Sequence, residues 1–382
     1  MSTDQRPQAA LRIMDSRPVV DSVPAMFPAL TAVGDDLLVS FSTVPDGWPG
    51  GRVGLVRSAD GGRSWSSPEF LAGPDETSEA ALGAVSMTTT ATGRVLLPYN
   101  RVSWVGNGVD GRRISAHLIN SDDGGRTWSA ERRVAADFHG PAIYGRLLPT
   151  ADGRILLPVW GQRREGDRWQ AALYQSADDG ETFGWLATVA HDPTARLIGA
   201  YAAPTVSGET ADGRPDLSAT TDPDFRPHAA IDGFNEFTVI EDDGRLVAVL
   251  RQQGVGGDDT LQLFGAESTD GGRTWSPYQK LGFAGMSPCL HRRPSGQYVL
   301  AYRRATGDGS APGVELRLSE GVGRPWSAPI ELEYPDGQRP TAEYQCGYPA
   351  LADLPDGTLL VVFYGYRRDH GRYLVSNRLG PA

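Results

Sequence analysis

One eight-residue pattern recurs along this chain and constrains its fold more than any other feature. It reads Ser58-Ala-Asp60-Gly-Gly62-Arg-Ser-Trp65, Ser121-Asp-Asp123-Gly-Gly125-Arg-Thr-Trp128, Ser176-Ala-Asp178-Asp-Gly180-Glu-Thr-Phe183 and Ser268-Thr-Asp270-Gly-Gly272-Arg-Thr-Trp275. A fifth copy, Ser319 to Trp326, keeps the Ser, the second Gly and the Trp but lacks the Asp. The shared aspartates fall 63, 55 and 92 residues apart, which indicates a constant unit with variable loops. Each box follows a β-like run and precedes another strand start. Asp and Ser side chains bond a turn's own backbone, Gly accepts positive φ, and the aromatic packs beneath. A calcium loop is the alternative, but one carboxylate per turn supplies too few ligands.

Upstream of each box lies an apolar strand, a turn and a second strand. The series is FPALTAVGDDLLVSFS, GAVSMTTTATGRVLLPYNR, YGRLLPTADGRILLPVWGQR, EFTVIEDDGRLVAVLR, PCLHRRPSGQYVLAYRR and GYPALADLPDGTLLVVFYGYR. The GDD, ATG, ADG, DDG, PSG and PDG centres read as hairpin turns. Six units of four strands describe an all-β, six-bladed β-propeller with antiparallel blades, forming one domain over residues 1–382. The last unit, from Cys346 to about Arg378, has no box and is expected to close the ring with Leu11 to Val20. A Pro-, Gly-, Asp- and Thr-rich insertion spans about residues 207–231, between blades three and four.

Composition removes several functions. The net charge is −11 with no basic cluster, which argues against a nucleic-acid or anionic-membrane partner. Cys289 and Cys346 are too few for a disulfide framework, and no CxxC pair points to zinc. Lys280 is the single lysine and lies outside any glycine-rich loop, so a P-loop is absent and Schiff-base chemistry is disfavoured. No metal or cofactor is expected. The polar MSTDQRPQAA start lacks the apolar core of a signal peptide, and a cytoplasmic location is the expectation.

Ligands of a propeller meet the residues at the starts of its innermost strands. Here those positions hold Met26, Phe27, Gly83, Tyr144, Glu236, Ser287 and Tyr348. The second strands return to the same face and end in arginine in five of six units: Arg101, Arg163, Arg251, Arg303 and Arg367. Either these converge on the funnel mouth or they pair with local acids. His139 and His291 lie near strand starts, where an imidazole serves as acid or base near neutral pH, or as a hydrogen-bonded structural group.

The boxes are similar to the Asp-boxes, or BNR repeats, of the sialidase superfamily, and the pattern covers nearly the whole chain. The stretch Asn235-Glu236-Phe-Thr-Val-Ile-Glu241, followed by DDGRLVAVL and Arg251, resembles the family segment with the catalytic glutamate and a triad arginine. Cys346-Gly347-Tyr348-Pro349-Ala-Leu resembles the segment with the nucleophilic tyrosine. The resemblance implies that Tyr348 attacks the anomeric carbon, Glu236 takes its proton and Arg251 holds a substrate carboxylate. A tyrosine of pKa about 10 needs such a base to become a nucleophile.

Two departures stand out. Met26, in Ala25-Met26-Phe27-Pro28, occupies the place of the family's first triad arginine. The stretch before the fifth box offers only Arg317 for the third. Arg303, Arg304 and Arg146 are neighbouring strand-end residues able to compensate. The family's general acid is a blade-one aspartate, which makes Asp46 the candidate, although a Pro-Asp-Gly turn explains it equally well.

The expected function is an exo-acting glycoside hydrolase that releases a terminal, acidic sugar from an oligosaccharide or glycoconjugate. Its catalytic residues would be Tyr348, Glu236 and Asp46. Substrate-binding candidates are Arg251, Arg303, Arg304, Arg101, Arg163, Arg367, Arg146, Tyr144 and His291. Competing readings are an exo-arabinanase-like glycosidase on a neutral sugar, a polysaccharide lyase and a non-catalytic carbohydrate-binding propeller. Oligomeric state stays open.

Overall fold

The structure is a computed structural model that describes residues 10–44, 50–73, 79–82, 86–104, 112–164, 167–192, 233–253, 261–306, 310–335, 337, 339–342 and 345–382. The insertion at about 207–231 lies outside the described residues. Six antiparallel sheets follow one another around a ring, as the repeats predict. Blade 1 runs Met26–Val33, Asp36–Ser42, Val53–Ser58, Glu69–Ala72 from the axis outward. Blade 2 comprises Glu79–Leu82 with Thr88–Thr89, then Val95–Trp104, Arg112–Ser121 and Arg132–Arg133. Blade 3 comprises His139–Ile143 with Leu148–Pro149, then Ile155–Gln162, Gln170–Ser176 and Gly184–Ala190. Blade 4 is Gly233–Asp242, Arg245–Gln253, Gln262–Ser268 and Gln279–Ala284, and blade 5 is Met286–Arg292, Tyr298–Arg303, Val314–Ser319 and Ile330–Glu331. Blade 6 takes Gly347–Asp353, Leu359–Arg367 and Gly371–Pro381 from the C-terminus and its outer strand, Leu11–Val20, from the N-terminus. Leu11 pairs with Pro381 and Val20 with Leu374, so the two ends of the chain lock the ring.

The boxes behave as turns that also space the blades. Ser58 Oγ donates to Asp60 Oδ1 at 2.8 Å and accepts from Gly62 N at 2.8 Å. The Arg63 and Ser64 amides both donate to Asp60 Oδ1 at 2.9 Å, and the Ser64 hydroxyl donates to Oδ2 at 2.6 Å. Equivalent bonds surround Asp123, Asp178 and Asp270. In the fifth box Ser319 Oγ instead meets the Gly321 and Pro325 carbonyls, at 2.7 and 3.0 Å. The second glycine is needed twice over. Gly125 has φ +82°, and a Cβ there would come within 2.8 Å of Leu38 in blade 1. Leu38 and Leu55 of blade 1 share one buried cluster with Leu96, Tyr99 and Leu118 of blade 2. Sheet stacks on sheet in this way around the axis.

The box bonds lower the carboxyl pKa values: the Thr182 hydroxyl and amide hold Asp178 at about 2, and those of Thr274 hold Asp270 at about 2. A carboxyl depressed in the fold stabilises it above the unfolded pKa, and the benefit fades as pH falls through the folded value. Melting temperature should therefore hold to about pH 4 and fall between about pH 4 and 2. Asp178→Asn should flatten that fall, as thermal melts across the range would register.

Candidate active site

Three inner strands open on a strained residue followed by proline. Phe27, Ser287 and Tyr348 have φ of 54°, 51° and 53°. The left-handed region costs a non-glycine residue about 1–2 kcal/mol, and such strain collects at functional sites. At each position the ladder to the second strand slips, between Met26 and Ala29, Met286 and Cys289, and Gly347 and Ala350. Blade 4 slips between Phe234 and Phe237, at the place of Asn235 and Glu236. A bulge breaks strand alternation and re-aims a side chain. Here it gathers residues from separate blades at one end of the axis.

Glu236 is the hub. Its Oε2 accepts from Arg251 Nη1 at 2.6 Å, from the Ser287 amide at 3.0 Å and from the Ser287 hydroxyl at 3.2 Å. Its Oε1 accepts a short hydrogen bond from the Tyr348 phenol. One carboxylate oxygen is thus saturated by fixed donors, and the other faces the phenol. Burial would raise the Glu236 pKa, but the charges of Arg251 and Arg303 and the bonds from Tyr348 and Arg251 outweigh it and hold the carboxyl below its ordinary value. The group is an anion with a lone pair directed at a phenol proton.

Arg303 supplies a second buried cation. Its guanidinium donates to the Cys346 carbonyl and to the Tyr364 phenol, both at 3.5 Å, and lies 5.9 Å from the Tyr348 ring centroid. Aromatic rings wall the phenol: Phe27 at 4.6 Å, Tyr144 at 5.7 Å and Tyr364 at 6.1 Å between centroids. Burial pushes Tyr364 up to about 12 and raises Tyr144 well above the ordinary phenol value, so both remain neutral phenols. Tyr144 donates its hydroxyl to the Pro288 carbonyl at 3.2 Å, which makes a floor beneath the site.

Glu236, Tyr348, Arg251, Arg303 and Tyr144 therefore come together. The other candidates among the described residues do not. Arg163 lies one residue beyond Gln162, the partner of His139, and Arg367 three beyond Tyr364, the partner of Gly347. Arg163 stacks on Trp185 at 4.1 Å and Arg367 on Tyr373 at 4.3 Å. Arg101 pairs with Glu131 at 3.3 Å. Arg304, next to Arg303 and so on the other face, donates to the Ala311 carbonyl at 2.7 Å and pairs with Glu315. Arg317 donates to the Tyr302 hydroxyl at 2.7 Å and stacks on Phe283, away from the cluster. His291 meets Asp353 at 2.7 Å, further along the axis, and Arg146 lies in the axial channel below Tyr144. His139 is exposed. Asp46 and Gly83 fall outside the described residues.

Ser287 and Phe27, named among the inner-strand starts but given no role there, and Tyr364, not singled out, complete the cluster. The signal for the first two was local: each precedes a proline at a blade's inner edge, as Tyr348 does. Ser287→Gly removes the hydroxyl while tolerating the left-handed backbone. A hydrogen bond to a charged group is worth about 1.5–3 kcal/mol. Turnover should drop roughly 10-fold or more, and the acid limb of the pH profile should rise, as steady-state kinetics across pH would register.

Residues 53–361 match the BNR repeat-like domain family. The chain belongs to that family. This BNR propeller has structural relatives over nearly its whole length. A protein of unknown function from Dyadobacter fermentans superposes with TM-score 0.73 at 18% identity, covering 97% of this chain and 99% of that one. The Hadza microbial sialidase superposes with TM-score 0.65 at 15% identity, over 95% of this chain and 68% of that one. Trypanosoma rangeli sialidase in complex with sialic acid gives TM-score 0.61 at 14% identity, over 98% of this BNR chain and 59% of that longer one. No curated protein matches the chain in sequence.

Proposed function

We propose that this BNR propeller is an exo-acting glycoside hydrolase that releases a terminal acidic sugar through a Tyr348–Glu236 pair. The observation that carries the reading is the phenol–carboxylate hydrogen bond between residues of different blades. As the Tyr348 oxygen attacks the anomeric carbon, its proton passes to Glu236 Oε1. The bond to the leaving oxygen breaks, and an acid protonates that oxygen; Asp46, in the blade-one loop, is the candidate. Water then attacks the anomeric carbon and gives a proton back to the deprotonated acid, the glycosyl–tyrosine bond breaks, and the phenol recovers its proton from Glu236. Two displacements retain the anomeric configuration.

A neutral nucleophile suits a sugar with a carboxylate beside the reacting carbon, because a carboxylate nucleophile would be repelled. Charge supports the same substrate class. Arg251 and Arg303 place two guanidinium groups at the site. Guanidinium groups bind a carboxylate by charge-assisted hydrogen bonds, which suits an anionic sugar. A neutral sugar is the second reading, favoured by buried Met26 and the aromatic wall of Phe27, Tyr144 and Tyr364.

A panel of fluorogenic sialosides, uronides and neutral glycosides tests this. Release from an acidic glycoside is expected; activity confined to neutral glycosides would select the second reading, and none on any would remove both. Because the Glu236 carboxyl is depressed, its basic form persists as pH falls past 4.5, so the acid limb of kcat/KM should lie below that value. A limb above it would contradict the assigned base.

A further inference from the structure

Blade 2 carries a second set of reactive side chains, beyond its inner strand. Tyr99 and Arg101 share one face of the strand Val95–Trp104, and Ser115 and His117 share one face of the strand Arg112–Ser121. The ladder sets Tyr99 opposite His117 and Arg101 opposite Ser115. Glu131 enters just before the outer strand Arg132–Arg133, whose Arg133 lies opposite His117.

The imidazole joins a hydroxyl to a carboxylate. Ser115 Oγ lies 2.8 Å from His117 Nε2, and His117 Nδ1 lies 3.0 Å from Glu131 Oε1. The Tyr99 phenol donates to Glu131 Oε2, and Arg101 Nη1 donates to Oε1 at 3.3 Å. The Tyr99 and His117 rings stack, with centroids 6.1 Å apart and planes inclined by 24°. A carboxylate only accepts, so the proton facing it belongs on Nδ1 and the lone pair on Nε2. The Ser115 hydroxyl then donates to Nε2, the arrangement in which a serine becomes nucleophilic. Burial holds the imidazole below its ordinary pKa, with Arg101 and Arg133 acting the same way against Glu131, so the neutral base is present at neutral pH.

We propose that Ser115, His117 and Glu131 form a second site, which hydrolyses small carboxylic esters of the acetyl class. Ser115 Oγ bonds to the ester carbonyl carbon while its proton passes to His117 Nε2. The bond from that carbon to the alcohol oxygen breaks, and His117 hands the proton to the leaving oxygen. Water then adds to the acyl carbon and gives a proton to Nε2. The acyl–serine bond breaks, and Ser115 Oγ takes that proton back. Glu131 positions the ring and faces the imidazolium, and Arg101, opposite Ser115, offers a cation to the oxyanion. Ser115 is half-buried and the His117 side chain only 12% exposed, which favours a small acyl group. The inference stands apart from the glycosidase reading, because it uses neither Tyr348 nor Glu236.

Labelling the wild-type protein with a fluorophosphonate, followed by peptide mass spectrometry, gives the direct test. A phosphonyl adduct on Ser115 is expected, and no label, or label only elsewhere, would overturn the proposal whether or not any variant folds. His117→Gln should slow labelling by about 100-fold or more; an unchanged rate would make Ser115 an unactivated serine and overturn the proposal. With p-nitrophenyl acetate as substrate, Ser115→Ala should abolish enzymatic turnover, and turnover equal to wild type would overturn it. Glu131→Gln should lower kcat by about 100-fold with KM held, and Glu131→Asp should restore part of it. Unchanged kcat in Glu131→Gln would remove Glu131 from the triad.

Discussion

Tyr348→Phe should lower kcat on the cleaved glycoside by about 1000-fold or more, with the fold unchanged. The substitution removes one oxygen. The Phe27, Tyr144 and Tyr364 rings still pack against the side chain, and Glu236 keeps Arg251 and both Ser287 donors. A thermal midpoint close to wild type would therefore accompany the lost turnover. A purely structural role for the phenol predicts the reverse, a shifted midpoint with activity retained. Activity within about 10-fold of wild type would remove Tyr348 as nucleophile.

Arg251→Met acts on the same cluster through stability. It leaves the Glu236 carboxylate, 8% exposed, without its closest cation. Breaking a buried ion pair from one side costs about 3–5 kcal/mol. For a chain of this size that is a midpoint drop of about 5 °C. The residual charge of Arg303 softens the loss but makes no direct bond to Glu236. With Arg251 gone, burial raises the carboxyl, so the acid limb of kcat/KM should move to higher pH. Adding Glu236→Gln to Arg251→Met should recover part of the stability, since a neutral amide needs no cation. A single variant within about 1 kcal/mol of wild type would mean that the pair is not the electrostatic core of the site.

Much of this architecture was legible because it is local. A box such as Ser121 to Trp128 writes its own turn into eight residues, and alternating runs on either side of a PDG or DDG centre write the hairpins. Ring closure by Leu11–Val20 followed from a last unit left one strand short. Within the site, Glu236, Arg251 and Tyr348 were found through family-like segments. The other arginines depended on strand register beyond a bulge. Arg303 pairs with Met286 at the bulged strand start, whereas Arg163 and Arg367 overshoot the equivalent position by one and three residues. Residue type alone does not reveal that offset. Ser287 was placed at an inner-strand start but given no role, because that role arises from an inter-blade contact. Its signal was the repeated residue-before-proline at inner strand starts, also seen in Phe27-Pro28 and Tyr348-Pro349.

The central claim is that the Tyr348 oxygen forms a covalent bond to sugar while Glu236 holds its proton. It is tested most directly by trapping: the enzyme is incubated with a fluorinated, slow-turnover analogue of the sugar it releases, and the adduct is mapped by peptide mass spectrometry. A single glycosyl adduct on the Tyr348 peptide, absent from Tyr348→Phe, is the predicted result. An adduct on a carboxylate, or equal labelling of Tyr348→Phe, would contradict it.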